Sequence, residues 1–66
     1  MRHDIWRAVG TITHPVGPGK CTVYVRRKSG RCERQLRDRR EVLVTNEITE
    51  AYYERVISEG LPCQNG

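Results

Sequence analysis

The sequence predicts a small α+β domain: a three-stranded, mostly antiparallel sheet with one C-terminal amphipathic helix packed on one face. Three observations lead there. The stretch Cys21-Thr22-Val23-Tyr24-Val25-Arg26-Arg27 alternates in the manner of a half-buried strand and runs into a glycine turn. A helical stripe with matching start and stop signals closes the chain. Between them, Arg26 to Arg40 hold eight Arg or Lys against two acids, a net +6 in a chain whose total is +4.

Sixty-six residues make one domain. A chain of this length buries only about 60% of the surface its unfolded form exposes. With 36% hydrophobic residues and no Phe, its core rests on Ile, Val, Leu, one Trp and three Tyr. Such a core supports a small sheet and a helix rather than a deep substrate cavity, which points away from catalysis.

Residues 4–13 read as the first strand, since Ile5, Trp6, Val9, Thr11, Ile12 and Thr13 are β-branched or aromatic. Simple alternation puts Trp6, Ala8 and Ile12 on one face and Ile5, Arg7, Val9 and Thr11 on the other. Gly10 interrupts the run and marks a bulge or a close backbone approach. Residues 14–20, with two Pro and two Gly, form a loop. Its Gly19-Lys20 ending is not a phosphate loop, because His14 and Cys21 stand where that motif needs Gly and Ser or Thr.

Residues 21–37 read as a basic hairpin. A two-residue turn at Ser29-Gly30 sets Lys28 opposite Arg31, Arg26 opposite Glu33, Tyr24 opposite Gln35 and Val23 opposite Leu36. One face then holds Cys21, Val23, Val25 and Leu36. The other holds Tyr24, Arg26, Lys28, Arg31, Glu33 and Arg37. Opposite charges and paired apolar residues favour this register, while Lys28–Arg31 and Val25–Arg34 count against it. A helix over 31–41 is the rival reading, from good helix formers and the Glu33–Arg37 spacing. The hairpin either projects from the sheet or forms its open face.

Residues 42–45 are a short strand. The helix follows over 47–59, capped by Asn46, with Glu47 and Glu50 at the positive end of its dipole. Ile48, Tyr52 and Val56 recur at fours, widened by Ala51, Tyr53 and Ile57. Gly60, Leu61 and Pro62 stop it, and residues 62–66 are expected to fray. Adjacent Tyr52 and Tyr53 point roughly 100° apart; Tyr53 is the one expected at the rim, where it offers a contact for a homodimer through the helix.

The charge pattern defines the candidate site. A basic balance and a pI near 9.3 favour an acidic partner, and Arg supplies a planar fork that matches phosphate and carboxylate. Tyr24, Arg26, Lys28, Arg31, Arg37 and Arg39 are the candidate contact residues. Two uses fit them. A two-stranded ribbon enters a DNA major groove, and an open Arg face with an aromatic neighbour holds single-stranded RNA or DNA. The expectation is therefore a non-enzymatic nucleic-acid-binding module. The alternative is a small inhibitor or adaptor, of the kind phages and mobile elements encode, that docks the same Arg face on an acidic or nucleic-acid-like protein surface.

No metal or cofactor is expected. Cys21, Cys32, Cys63, His3 and His14 lack any Cys-x2-Cys or His-x3-His spacing. In the register above, Cys21 and Cys32 lie about 20 Å apart along the ribbon, too far to share an ion or a disulfide. Acid–base cleavage of RNA by His14 with Lys20 is a third, weaker reading. No apolar run approaches the roughly 18 residues of a membrane span. No apolar segment follows Met1-Arg2-His3-Asp4, so a cytoplasmic setting with reduced thiols is expected.

Overall fold

A computed structural model describes residues 5–61. Four strands, β1 (Arg7–Thr13), β2 (Lys20–Lys28), β3 (Arg31–Asp38) and β4 (Glu41–Ile48), precede one helix, α1 (Glu50–Glu59). The strands form a single antiparallel sheet in sequence order. The class is the expected α+β, with four strands rather than three. The hairpin does not project: β2 and β3 are the two interior strands.

The β2–β3 pairing follows the predicted register throughout, from Lys28 opposite Arg31 to Val23 opposite Leu36. Ser29 (φ 54°) and Gly30 (φ 76°) make the turn, two successive positive φ values that match the twist of the strands they join. Residues 31–38 are thus strand. The Val25–Arg34 pair persists on the inner face, and Arg34 Nε lies buried without a hydrogen-bond partner among the described residues. Arginine is admissible there because its methylene stem tolerates apolar neighbours.

The core fills the space between the inner sheet face and α1. Val25, Cys32, Tyr53 and Val56 form one buried cluster, and Cys21, Val23 and Leu36 a second. Val9 and Leu61 pack against both. Each fully buried Val or Leu is worth about 1.5–3 kcal/mol.

Four expectations change. The first strand begins at Arg7 rather than residue 4, and a bulge between Ala8 and Gly10 breaks the simple alternation. After it, Ile12 lies opposite Cys21 and packs on the inner cluster, leaving Trp6 and Ala8 on the other face. The predicted strand 42–45 extends to Glu41–Ile48, where Asn46 pairs with Arg34 and Ile48 with Cys32. Backbone pairing along β3 outweighs the helix-start pattern at Asn46. The cap is Thr49 instead, whose hydroxyl accepts the Tyr52 N–H at 3.1 Å. With the helix beginning later, Tyr53 turns inward at 2% exposure and Tyr52 is half-buried. Tyr53 therefore does not stand at the rim, where the sequence suggests it.

The helix ends at Gly60 (φ 77°), whose N–H donates to Val56 O at 2.9 Å. Leu61 then returns to β1, its N–H donating to Val9 O at 3.2 Å. The predicted frayed tail, Pro62 and Cys63 lie outside the described residues, as does the start of the expected strand at Asp4. Cys21 and Cys32 are free, buried thiols in separate clusters.

Candidate nucleic-acid interface

Because α1 covers one face of the sheet, strand alternation assigns the remaining side chains to an outer face. From β2 it receives Lys20, Thr22, Tyr24, Arg26 and Lys28, and from β3 Arg31, Glu33, Gln35 and Arg37. β4 adds Val42, Thr45 and Glu47. Trp6 joins them from the residue before β1, one position ahead of the Arg7–Val25 pair.

At the centre of this face arginines and aromatic rings are stacked. The Arg37 guanidinium lies 4.2 Å from the Tyr24 ring centroid and 5.6 Å from that of Trp6. Arg26 sits 4.5 Å over the same Trp6 ring. Contacts of this kind contribute about 0.5–1 kcal/mol each when exposed and more when desolvated. Hydrogen bonds fix the guanidinium planes. Arg26 Nε donates to Glu33 Oε1 at 2.8 Å, and Arg37 Nε donates to Gln35 Oε1 at 2.6 Å. Gln35 is held in turn through Nε2, which donates to Thr45 Oγ1 at 3.0 Å. Among the described residues the Nη groups of Arg37 make no hydrogen bond, so they remain open donors.

Of the six candidate residues, Tyr24, Arg26 and Arg37 come together in this cluster. Lys28 and Arg31 stand on the same face at the turn end of the hairpin, exposed. Arg39 lies at the opposite end, in the β3–β4 turn with φ 59°. It borders a shallow cleft of about 700 Å³ with His14, Lys20, Thr22, Arg37 and Asp38. Sequence reasoning missed Trp6 as a member. Its position beside Arg26 depends on the β1–β2 register, which the bulge conceals.

His14 is used by the loop it belongs to. Its Nδ1 accepts the N–H groups of Val16 (3.2 Å) and Gly17 (2.9 Å). The ring proton of the neutral form thus sits on Nε2, 3.4 Å from Asp38 Oδ2. Both ring nitrogens are engaged in holding the 14–19 loop against the start of the β3–β4 turn.

Arg27, on the inner face, has a different task. Its Nη2 lies 3.3 Å from Glu54 Oε2 and 3.6 Å from Glu50 Oε1, and its guanidinium lies 4.9 Å over the Tyr53 ring. The neighbouring Cys32 thiol, more than any other group, raises the pKa of this guanidinium above the ordinary arginine value; Glu50 and Glu54 add to the rise and burial opposes it. Arg27 fastens α1 to the sheet and is unavailable to the outer face.

Among the described residues no group of three or more His, Cys, Asp or Glu is placed to hold a metal ion. No helix among them is long and apolar enough to cross a membrane. Family models, curated proteins and solved structures give no match to the chain.

Proposed function

We propose that this protein binds single-stranded nucleic acid across the outer face of its sheet, without catalysing a reaction on it. The observation that carries the reading is the stack of Arg26, Trp6, Arg37 and Tyr24 on a sheet face that no other described element covers. Unpaired bases stack on aromatic rings and on guanidinium planes alike, at about 1–3 kcal/mol per base. The Arg37 guanidinium already sits over the Tyr24 ring, so its outer side offers a base a second surface and its Nη donors reach a phosphate. Lys28 and Arg31 at one end, and Lys20 and Arg39 at the other, extend the positive path along the strands.

The geometry disfavours the major-groove alternative. A ribbon that enters the groove must be two strands wide, and here the hairpin is flanked by β1 and β4. Three inter-strand spacings of about 4.8 Å span roughly 14 Å before side chains are added, more than the roughly 12 Å width of the groove. A single strand laid across the face meets no such limit.

The test is a fluorescence-anisotropy titration with mixed-sequence single-stranded and duplex oligonucleotides at two salt concentrations. Single strands are expected to bind more tightly, with affinity falling as salt rises. An Arg26→Ala/Arg37→Ala variant should bind less tightly. If both guanidinia neutralise phosphates, its log–log salt slope should be shallower by about 1.4, at roughly 0.7 per phosphate on single strands. Absence of binding at low salt would refute the proposal. The same face would then have to be tested as a dock for an acidic protein surface.

A further inference from the structure

The two edges of the sheet are treated differently. β1 is seven residues long, broken by the bulge at Ala8–Gly10, and its Val9 carbonyl is already taken by the Leu61 N–H. β4 also carries a bulge, at Leu43, but among the described residues no segment covers it. It runs eight residues with the uncharged centre Val42-Leu43-Val44-Thr45-Asn46, and Val42 and Val44 are 49% and 38% exposed. Sheet edges are ordinarily protected by charge, proline or a covering segment, because unpaired N–H and C=O groups recruit another strand. An uncharged, β-branched edge of this length is a pairing surface.

We infer that β4 pairs antiparallel with β4 of a second copy, joining two four-stranded sheets into one of eight strands. Charge selects both the occupant and the register. Glu47 lies opposite Glu33 within its own sheet, and Glu33 is taken by Arg26 at 2.8 Å. Among the described residues Glu47 therefore has an acid beside it and no cation paired with it. The β3–β4 register steps from Leu36–Val44 to Arg37–Val42, so Leu43 is the extra residue of a bulge. With Leu43 left out of the count, setting Val44 opposite its own copy sets Val42 opposite Thr45, Glu41 opposite Asn46 and Arg40 opposite Glu47. Each strand thus supplies at one end the cation that the other lacks. Paired residues in this register share a face: Val42 and Thr45 lie on the outer side, Glu41 and Asn46 on the helix side. The two-fold axis is then perpendicular to the sheet. Both helices fall on one side, and both arginine–aromatic clusters fall on the other as one continuous surface.

Sedimentation equilibrium of the intact chain tests this directly, by a signal independent of nucleic-acid binding. The expected result is a concentration-dependent monomer–dimer equilibrium. Val44→Lys sets two ammonium groups against each other at the axis and should give monomer while circular dichroism stays unchanged. Arg40→Glu should weaken dimerisation about tenfold, since two exposed ion pairs at up to about 1 kcal/mol each are lost. Arg40→Glu/Glu47→Arg should restore it. In a Cys63→Ser background, Val44→Cys should form an intermolecular disulfide on mild oxidation. A monomer at every concentration, or a dimer indifferent to both Val44→Lys and Arg40→Glu, would overturn the inference.

Discussion

Replacing Gly10 with alanine is the sharpest test of how the bulge in β1 holds the fold. A Cβ built there lies 3.0 Å from Leu61 Cδ1, 3.1 Å from its Cβ and 3.2 Å from its Cγ. Leu61 has little room to yield, because it packs on both core clusters and its N–H bonds Val9 O. Gly10 also has φ 154°, a backbone geometry that costs an L-residue about 1–3 kcal/mol. Overpacking adds about 1–3 kcal/mol. The combined loss of about 2–6 kcal/mol compares with a total stability of about 3–10 kcal/mol for a chain of this size. Urea denaturation should therefore show Gly10→Ala substantially or wholly unfolded, or at least 10 °C lower in Tm. A second substitution isolates the steric part. Leu61→Ala removes Cγ and Cδ1 and leaves only Cβ in the way, so Gly10→Ala/Leu61→Ala should cost less than the two single losses added together. A Gly10→Ala loss below about 1 kcal/mol, or strict additivity with Leu61→Ala, would refute the reasoning.

Three further outcomes are expected. Thr49→Ala should lose about 1 kcal/mol of stability in denaturant titrations, the usual worth of an N-cap hydroxyl, whereas Asn46→Ala should leave helix content unchanged. Tyr53→Ala should cost about 3–5 kcal/mol by analogy with other large core aromatics; Tyr52→Ala, at a half-buried position, should cost far less in the same thermal melts. Arg39→Gly should raise stability by about 1 kcal/mol, because glycine adopts the positive φ at no steric cost. It should also weaken oligonucleotide binding modestly and reduce the salt slope, read by anisotropy.

What the sequence disclosed depended on how local the controlling interaction was. The β2–β3 hairpin was legible residue by residue because a Ser-Gly turn and strict alternation act within a few positions of each other. The extent of β4 was not. Asn46-Glu47 followed by Glu50 reads as a helix start, and only pairing of Asn46 and Ile48 with β3 shows that the strand continues to Ile48. That error carried into the helix, since a start three residues later rotates Tyr53 into the core. In the candidate site, Tyr24, Arg26 and Arg37 were legible from the hairpin register alone. Trp6 required the β1–β2 register, which depends on a bulge held by Leu61 from the far end of the chain. Such long-range contacts leave no periodic trace in the sequence.

Trp6 is the only tryptophan in the chain, and it lies within the proposed contact surface. Its intrinsic fluorescence, followed while single-stranded oligonucleotide is added at low salt, is the most direct measurement. Stacking of bases on the Trp6–Arg37–Tyr24 cluster predicts saturable quenching that reverses as salt is raised and diminishes in Arg26→Ala/Arg37→Ala. Trp6 emission that stays unchanged while anisotropy reports binding would place the ligand elsewhere on the protein and contradict the proposed interface.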